Sequence, residues 1–85
     1  MEINVTPRFV KSYNKLRKEI QEKAKVKEAV FRKNPFDKRL KTHKLSGKEW
    51  EAWAFWVDYS YRIKFIFLTK NEILFLDIGT HDFYK

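Results

Sequence analysis

The sequence predicts a single α+β domain over residues 1–85: a small antiparallel sheet in the order β-α-α-β-β-β with a helical hairpin packed on one face. Three observations predict it. Helical periodicity is confined to roughly the first third of the chain, alternating periodicity begins after Leu40, and 18% of the 85 residues are aromatic. A chain this short buries a modest fraction of its surface, so its core has to be dense in large side chains. Eight Phe, four Tyr and three Trp supply that density, each able to bury about 150–250 Å².

Glu2 to Val5 alternates polar and apolar residues and reads as a short first strand. Thr6-Pro7 reads as a helix start, because Thr accepts from the first free amides and Pro is tolerated at the first helical position. Phe9, Tyr13, Leu16 and Ile20 then recur at steps of four, three and four, one side of a helix. Ala24, Val26, Ala29 and Val30 mark a second helical stretch, and Asn34-Pro35 stops it, since the residue before proline is pushed out of the helical region. The boundary between the two helices falls near Ile20 to Lys23, where neither Gly nor Pro marks it, so one long kinked helix is an alternative. Tyr61, Ile63, Phe65 and Phe67 alternate with Arg62, Lys64, Ile66 and Leu68, the period of a half-buried strand, with both cations on the face opposite the apolar stripe. Thr69-Lys70-Asn71-Glu72 reads as a turn, and Ile73 to Ile78 returns as an antiparallel strand ending at Gly79. Trp50 to Val57 fits helical spacing as well, but its aromatic density and the short Asp58-Tyr59 link favour a strand.

Nineteen Lys and Arg against eleven Asp and Glu give a net charge of +8, a field that attracts polyanions and speeds their capture. There is no Cys, which excludes a disulfide scaffold and suits a reducing compartment. The opening residues lack the basic and apolar regions of a signal peptide, and no run of about 18 apolar residues occurs. The expectation is a cytosolic protein with no membrane contact.

Two histidines are present, and both fall at element ends: His43 before Leu45-Ser46-Gly47, and His81 after the last strand. An imidazole can move a proton at neutral pH because its unperturbed pKa lies near 6.5. A lone histidine is more often an exposed or capping residue. His81, however, follows a strand adjacent to the one bearing Arg62, and Arg plus His suits phosphodiester chemistry: the guanidinium stabilises charge on phosphorus while the imidazole moves a proton. RNA can be cut without metal or protein nucleophile, since its own 2′-hydroxyl attacks the adjacent phosphate once a base takes its proton. Lys44, Lys48 and Lys64 can add charge to such a site. No zinc or magnesium spacing is recognisable, so neither metal nor other cofactor is expected.

The run His43-Lys44-Leu45-Ser46-Gly47, a tryptophan soon after, the strand Tyr61-Arg62-Ile63 and the ending Ile78-Gly79-Thr80-His81-Asp82-Phe83-Tyr84 resemble the RelE/ParE superfamily of toxins, and within it the YafQ-like branch. The resemblance spans nearly the whole chain in length and element order, and its specific part lies between His43 and Tyr84. It implies a RelE-like fold and a messenger-RNA endonuclease acting in the ribosomal 30S A site, neutralised by a cognate antitoxin. It also implies that His81 matches the C-terminal catalytic histidine, His43 the histidine before Leu-x-Gly, and Arg62 the strand arginine at the scissile phosphate. Phe83 or Tyr84 matches a terminal aromatic near the substrate. The branch uses a further histidine and an aspartate near the central strand, where this chain has Val57 and Tyr61. His43 is then the first candidate for the general base and Asp58, out of register, the second.

Two other functions fit the same composition. A ParE-like inhibitor of DNA gyrase would share the fold without needing histidines or Arg62, and an inactive RNA-binding module would stack bases on Trp50, Trp53 and Tyr84. His43, Arg62 and His81 together favour cleavage. A cationic face and an apolar groove call for a partner segment bearing acidic residues on an amphipathic helix or strand.

Overall fold

The computed structural model describes residues 1–47 and 51–81. A strand, β1 (Glu2–Val5), is followed by helices α1 (Pro7–Asn14) and α2 (Lys18–Lys33), a single 3₁₀ turn (Lys38–Leu40), and strands β2 (His43–Lys44), β3 (Trp53–Trp56), β4 (Tyr61–Thr69) and β5 (Glu72–Thr80). The strands form one sheet in the order β1-β5-β4-β3-β2.

The sheet is mixed rather than antiparallel. β2, β3, β4 and β5 pair antiparallel, but β1 runs parallel to β5. Alternation reveals a strand and says nothing of its direction. A parallel neighbour requires a long crossover, and here the helices and the rest of the sheet lie between β1 and β5.

Thr6 caps α1 as its sequence predicts: its Oγ1 accepts from the Phe9 amide at 3.0 Å, and Pro7 opens the helix. The same hydroxyl donates to the Leu76 carbonyl at 2.7 Å, tying the helix start to β5. The break between the helices comes at Lys15–Arg17, earlier than the spacing suggested. There Tyr13 and Gln21 clamp it reciprocally, each side chain donating to the other's carbonyl at 3.3 and 2.9 Å. Such a break needs no Gly or Pro because side chains meet the backbone groups the helices release. Phe9 and Ile20 are buried, with Tyr13 and Leu16 packed against the core. In α2 the buried residues are Ile20, Ala24 and Phe31, and Val26 faces solvent. Asn34 ends the helix as expected.

The core is a stack of aromatic rings. Phe31, with no exposed surface, meets Phe55 on β3, Phe65 on β4 and Phe75 on β5 at centroid distances of 4.8, 5.0 and 5.6 Å. A β-bulge in β5 then redirects the strand: Phe65 pairs with Phe75 and Lys64 with Asp77, leaving Leu76 as the extra residue. The slip changes which residues face the helices, from Ile73 and Phe75 before it to Ile78 after it, all three buried. Among the described residues, no helix is long and apolar enough to cross a membrane.

Replacing Phe31 with Ala removes a fully enclosed ring and should destabilise the protein by about 3–5 kcal/mol. Urea unfolding followed by circular dichroism measures it, and a loss below about 1 kcal/mol would contradict the assignment of Phe31 as the packing centre.

Candidate active site

Cross-strand partners share a face, so the register fixes which side chains meet on the side of the sheet turned away from the helices. His43 pairs with Ala54, Ala54 with Lys64, Trp56 with Arg62, and Arg62 with Gly79. Because of the bulge, the face that carries Gly79 is the one that His81 continues. His43, Leu45, Ala54, Trp56, Arg62 and His81 accordingly line one cavity of about 260 Å³.

Arg62 is 8% exposed and is gripped by the β3–β4 turn. Its Nη1 donates to the carbonyls of Asp58, Tyr59 and Tyr61 at 2.8, 2.9 and 3.2 Å. The guanidinium carbon lies 3.9 Å from the centre of the Trp56 ring, a cation–π contact worth about 2 kcal/mol when shielded from water. The charge is therefore fixed in place before any ligand arrives. Lys41 brings a second cation to the same ring, its Nζ 5.0 Å from the centroid.

The two histidines are oriented by backbone. His43 Nδ1 lies 2.9 Å from the Lys41 carbonyl oxygen. A carbonyl only accepts, so Nδ1 carries hydrogen, and in the neutral ring the lone pair is on Nε2. The His81 amide donates to the Ser60 carbonyl at 2.8 Å, fastening the residue after β5 to the same turn that holds Arg62. His43 itself lies in the edge strand β2 rather than in a loop, and Gly47, at φ 71°, takes the left-handed conformation that glycine adopts without strain.

The other residues singled out from sequence are placed differently. Lys44 pairs with Trp53 and so lies on the helix side, its Nζ 6.0 Å from that ring. Lys64 shares the face of Arg62 but lines a neighbouring hollow with Thr6, Arg8, Leu76 and Asp77. Lys48, Phe83 and Tyr84 lie outside the described residues, as does Trp50. Asp58, the second candidate base, does not line the cavity. Its Oδ1 accepts from the amides of Ser60 and Tyr61 at 2.9 and 2.8 Å, and its Oδ2 meets Lys23 at 3.4 Å. Sequence reasoning passed over Trp56 and Lys41. The signal for Trp56 was its place in β3: an alternating strand puts it on the face opposite Phe55 and Val57. Lys41 gave no such signal, because its position depends on a left-handed backbone.

A second hollow, about 170 Å³, opens between helices and sheet and is lined by Val5, Phe9, Tyr13, Ala24, Ile63 and Phe75 together with Lys25 and Glu28. It offers neither histidine nor arginine. Among the described residues no group of His, Asp and Glu is placed to hold a metal ion.

The frame that carries this cavity is the RelE/ParE toxin fold. The chain is similar to a YoeB/ParE toxin from Agrobacterium tumefaciens (TM-score 0.79, 15% identity, 95% of this chain and 99% of that one). It is also similar to a chain of the E. coli DinJ-YafQ toxin-antitoxin complex (0.76, 20%, 95% and 92%) and to one of the archaeal RelE-RelB complex from Pyrococcus horikoshii OT3 (0.72, 14%, 93% and 92%). No family model matches the sequence, and no curated protein does.

Asp58 generates a pH-dependent prediction. Burial raises its carboxyl, but the Tyr61 and Ser60 amides and the Lys23 ammonium lower it further, leaving it below the usual carboxylate range. A depressed folded-state value means that the unfolded chain takes up the proton first. The stabilisation is therefore present above the unfolded pKa of about 3.9 and is lost as pH falls through the folded one. Asp58→Ala should cost about 1–2 kcal/mol at neutral pH. In urea titrations the gap from the parent should narrow on acidification below about pH 4, and a widening gap would contradict it.

Proposed function

We propose that this protein is the toxin of a type II toxin–antitoxin pair, a metal-independent endoribonuclease that cuts messenger RNA at the ribosome. The observation that carries the reading is the convergence of His43, Arg62 and His81, from β2, β4 and the end of β5, on one cavity. The toxin fold and the toxin-antitoxin complex among its structural neighbours support the biological class.

In this reading His43 Nε2 takes the proton of a ribose 2′-hydroxyl. The 2′-oxygen attacks the adjacent phosphorus, and the bond to the 5′-oxygen breaks. His81, protonated, gives its proton to that leaving oxygen, so the products are a 2′,3′-cyclic phosphate and a 5′-hydroxyl end. Arg62 supplies positive charge to the phosphorus centre at no cost of ordering, because the turn carbonyls and Trp56 already hold it. The antitoxin is a protein with an acidic amphipathic segment, complementary to the charge of +8. The setting is the cytosol, with messenger RNA and the 30S A site as the other partners.

Induction from a tight promoter followed by mapping of RNA 5′ ends tests the reading. New 5′-hydroxyl ends inside coding sequences are expected, insensitive to chelators, and His81→Gln and Arg62→Ala should each reduce cleavage at least about 100-fold. Growth arrest with intact messengers and a DNA-damage response would instead indicate gyrase inhibition, and a His81→Gln protein that still cuts at the parental rate would remove His81 from the acid role.

A further inference from the structure

Lys41 stands in a conformation that its residue type disfavours. At φ 50° and ψ 40° it is, among the described residues, the one non-glycine with positive φ. A side chain other than Gly, Asn or Asp in the left-handed region is disfavoured, and such strain persists where the surrounding structure demands the conformation. Two things are gained at this position. The carbonyl is aimed at His43 Nδ1 at 2.9 Å, and the ammonium lies over the ring that carries Arg62. The first needs only a backbone and would be served better by glycine. The second needs the lysine.

Two cations at 5.0 and 3.9 Å from one ring centre are closer together than a Debye length, about 10 Å at 0.1 M ionic strength. Their repulsion is offset in part by the negative face of the indole, and an anion beside them offsets it further. We propose that Lys41 is a substrate-binding residue that, with Arg62 at the same Trp56 ring, receives a phosphodiester of the RNA beside the cavity that Trp56 and Arg62 line. The inference rests on reading that cavity as an RNA site and adds to it a cation contributed by a strained loop. Trp56 acts as a positioning residue for both cations.

The test uses the full chain and a short RNA oligonucleotide carrying 2′-O-methyl groups throughout, which can bind and cannot be cut. Lys41→Ala and Lys41→Gly should each weaken binding about tenfold and make the slope of log K against log salt shallower by about 0.7, the loss of one phosphate contact on a single strand. Lys41→Arg should bind like the parent. Lys41→Gly should melt at or above the parental temperature, because glycine relieves the left-handed strain, and its weakened binding is then not a folding defect. If both Lys41→Gly and Lys41→Ala keep parental affinity and salt slope, or if the parent does not bind the oligonucleotide, the inference is wrong. If Lys41-dependent binding is found in a parent protein that cuts no RNA, the nuclease reading fails and the inference stands. Cleavage that proceeds with Lys41-independent binding gives the converse.

Discussion

The contact of Phe31 with one ring on each of the three central strands is the constraint on which everything else hangs. A ring in the last full turn of α2 sits against Phe55, Phe65 and Phe75, which fixes the helix over the middle of the sheet and fixes the three strands in register beneath it. Once α2 is held there, Lys27 reaches the Val57 carbonyl at 3.0 Å and Lys23 reaches Asp58. Both contacts brace the β3–β4 turn from the helix side. That turn is what grips Arg62 and His81 on the opposite face. The packing on one side of the sheet thus positions the charges on the other, through a turn of four residues.

The parts of this architecture that repeat along the chain were legible in the sequence. The N-cap at Thr6, the helical stripe through Phe9 and Tyr13, the alternation through Tyr61 to Phe67 and the stop at Asn34 each rest on local rules, and each matches what is observed. Phe31 was harder to single out. The sequence reading marked α2 by Ala24, Val26, Ala29 and Val30, whereas its buried side runs through Ile20, Ala24 and Phe31, at steps of four and seven, with Lys27 intervening. The direction of β1 was likewise silent, because pairing direction is set by the crossover.

The site was half legible for a related reason. Residue chemistry pointed to His43, Arg62 and His81, whereas Lys44 was grouped with them because it is basic and adjacent. Alternation in β2 separates neighbours: His43 and Lys44 face opposite sides of the sheet. The bulge at Leu76 is the other hidden element. Without it the alternation that buries Ile73 and Phe75 would carry Gly79 and His81 to the helix side. With it, Ile78 turns inward and the end of the strand faces Arg62. The bulge is itself anchored, since its extra residue offers the carbonyl to which Thr6 donates. The cap that begins α1 and the slip that directs β5 toward the cavity share one hydrogen bond.

Small size explains why the site is held by backbone groups. A larger protein orients the side chains of a functional site with a second layer of side chains. Among the described residues the aromatic core lies on the helix side of the sheet and does not supply such a layer to this face. Carbonyl and amide groups of turns take its place: three carbonyls hold Arg62, one sets the His43 ring, and one fastens the His81 amide. Backbone groups carry no signature in residue type, so a position such as Ser60 contributes to the site through its carbonyl whatever side chain it bears, provided the turn keeps its shape. It follows that the side chain which sets that shape matters more than its distance from the cavity suggests. Asp58 is that side chain, accepting from the Ser60 and Tyr61 amides while its own carbonyl takes the Arg62 guanidinium. A residue that the sequence offered only as a second candidate base is, on this account, what keeps Arg62 where it is.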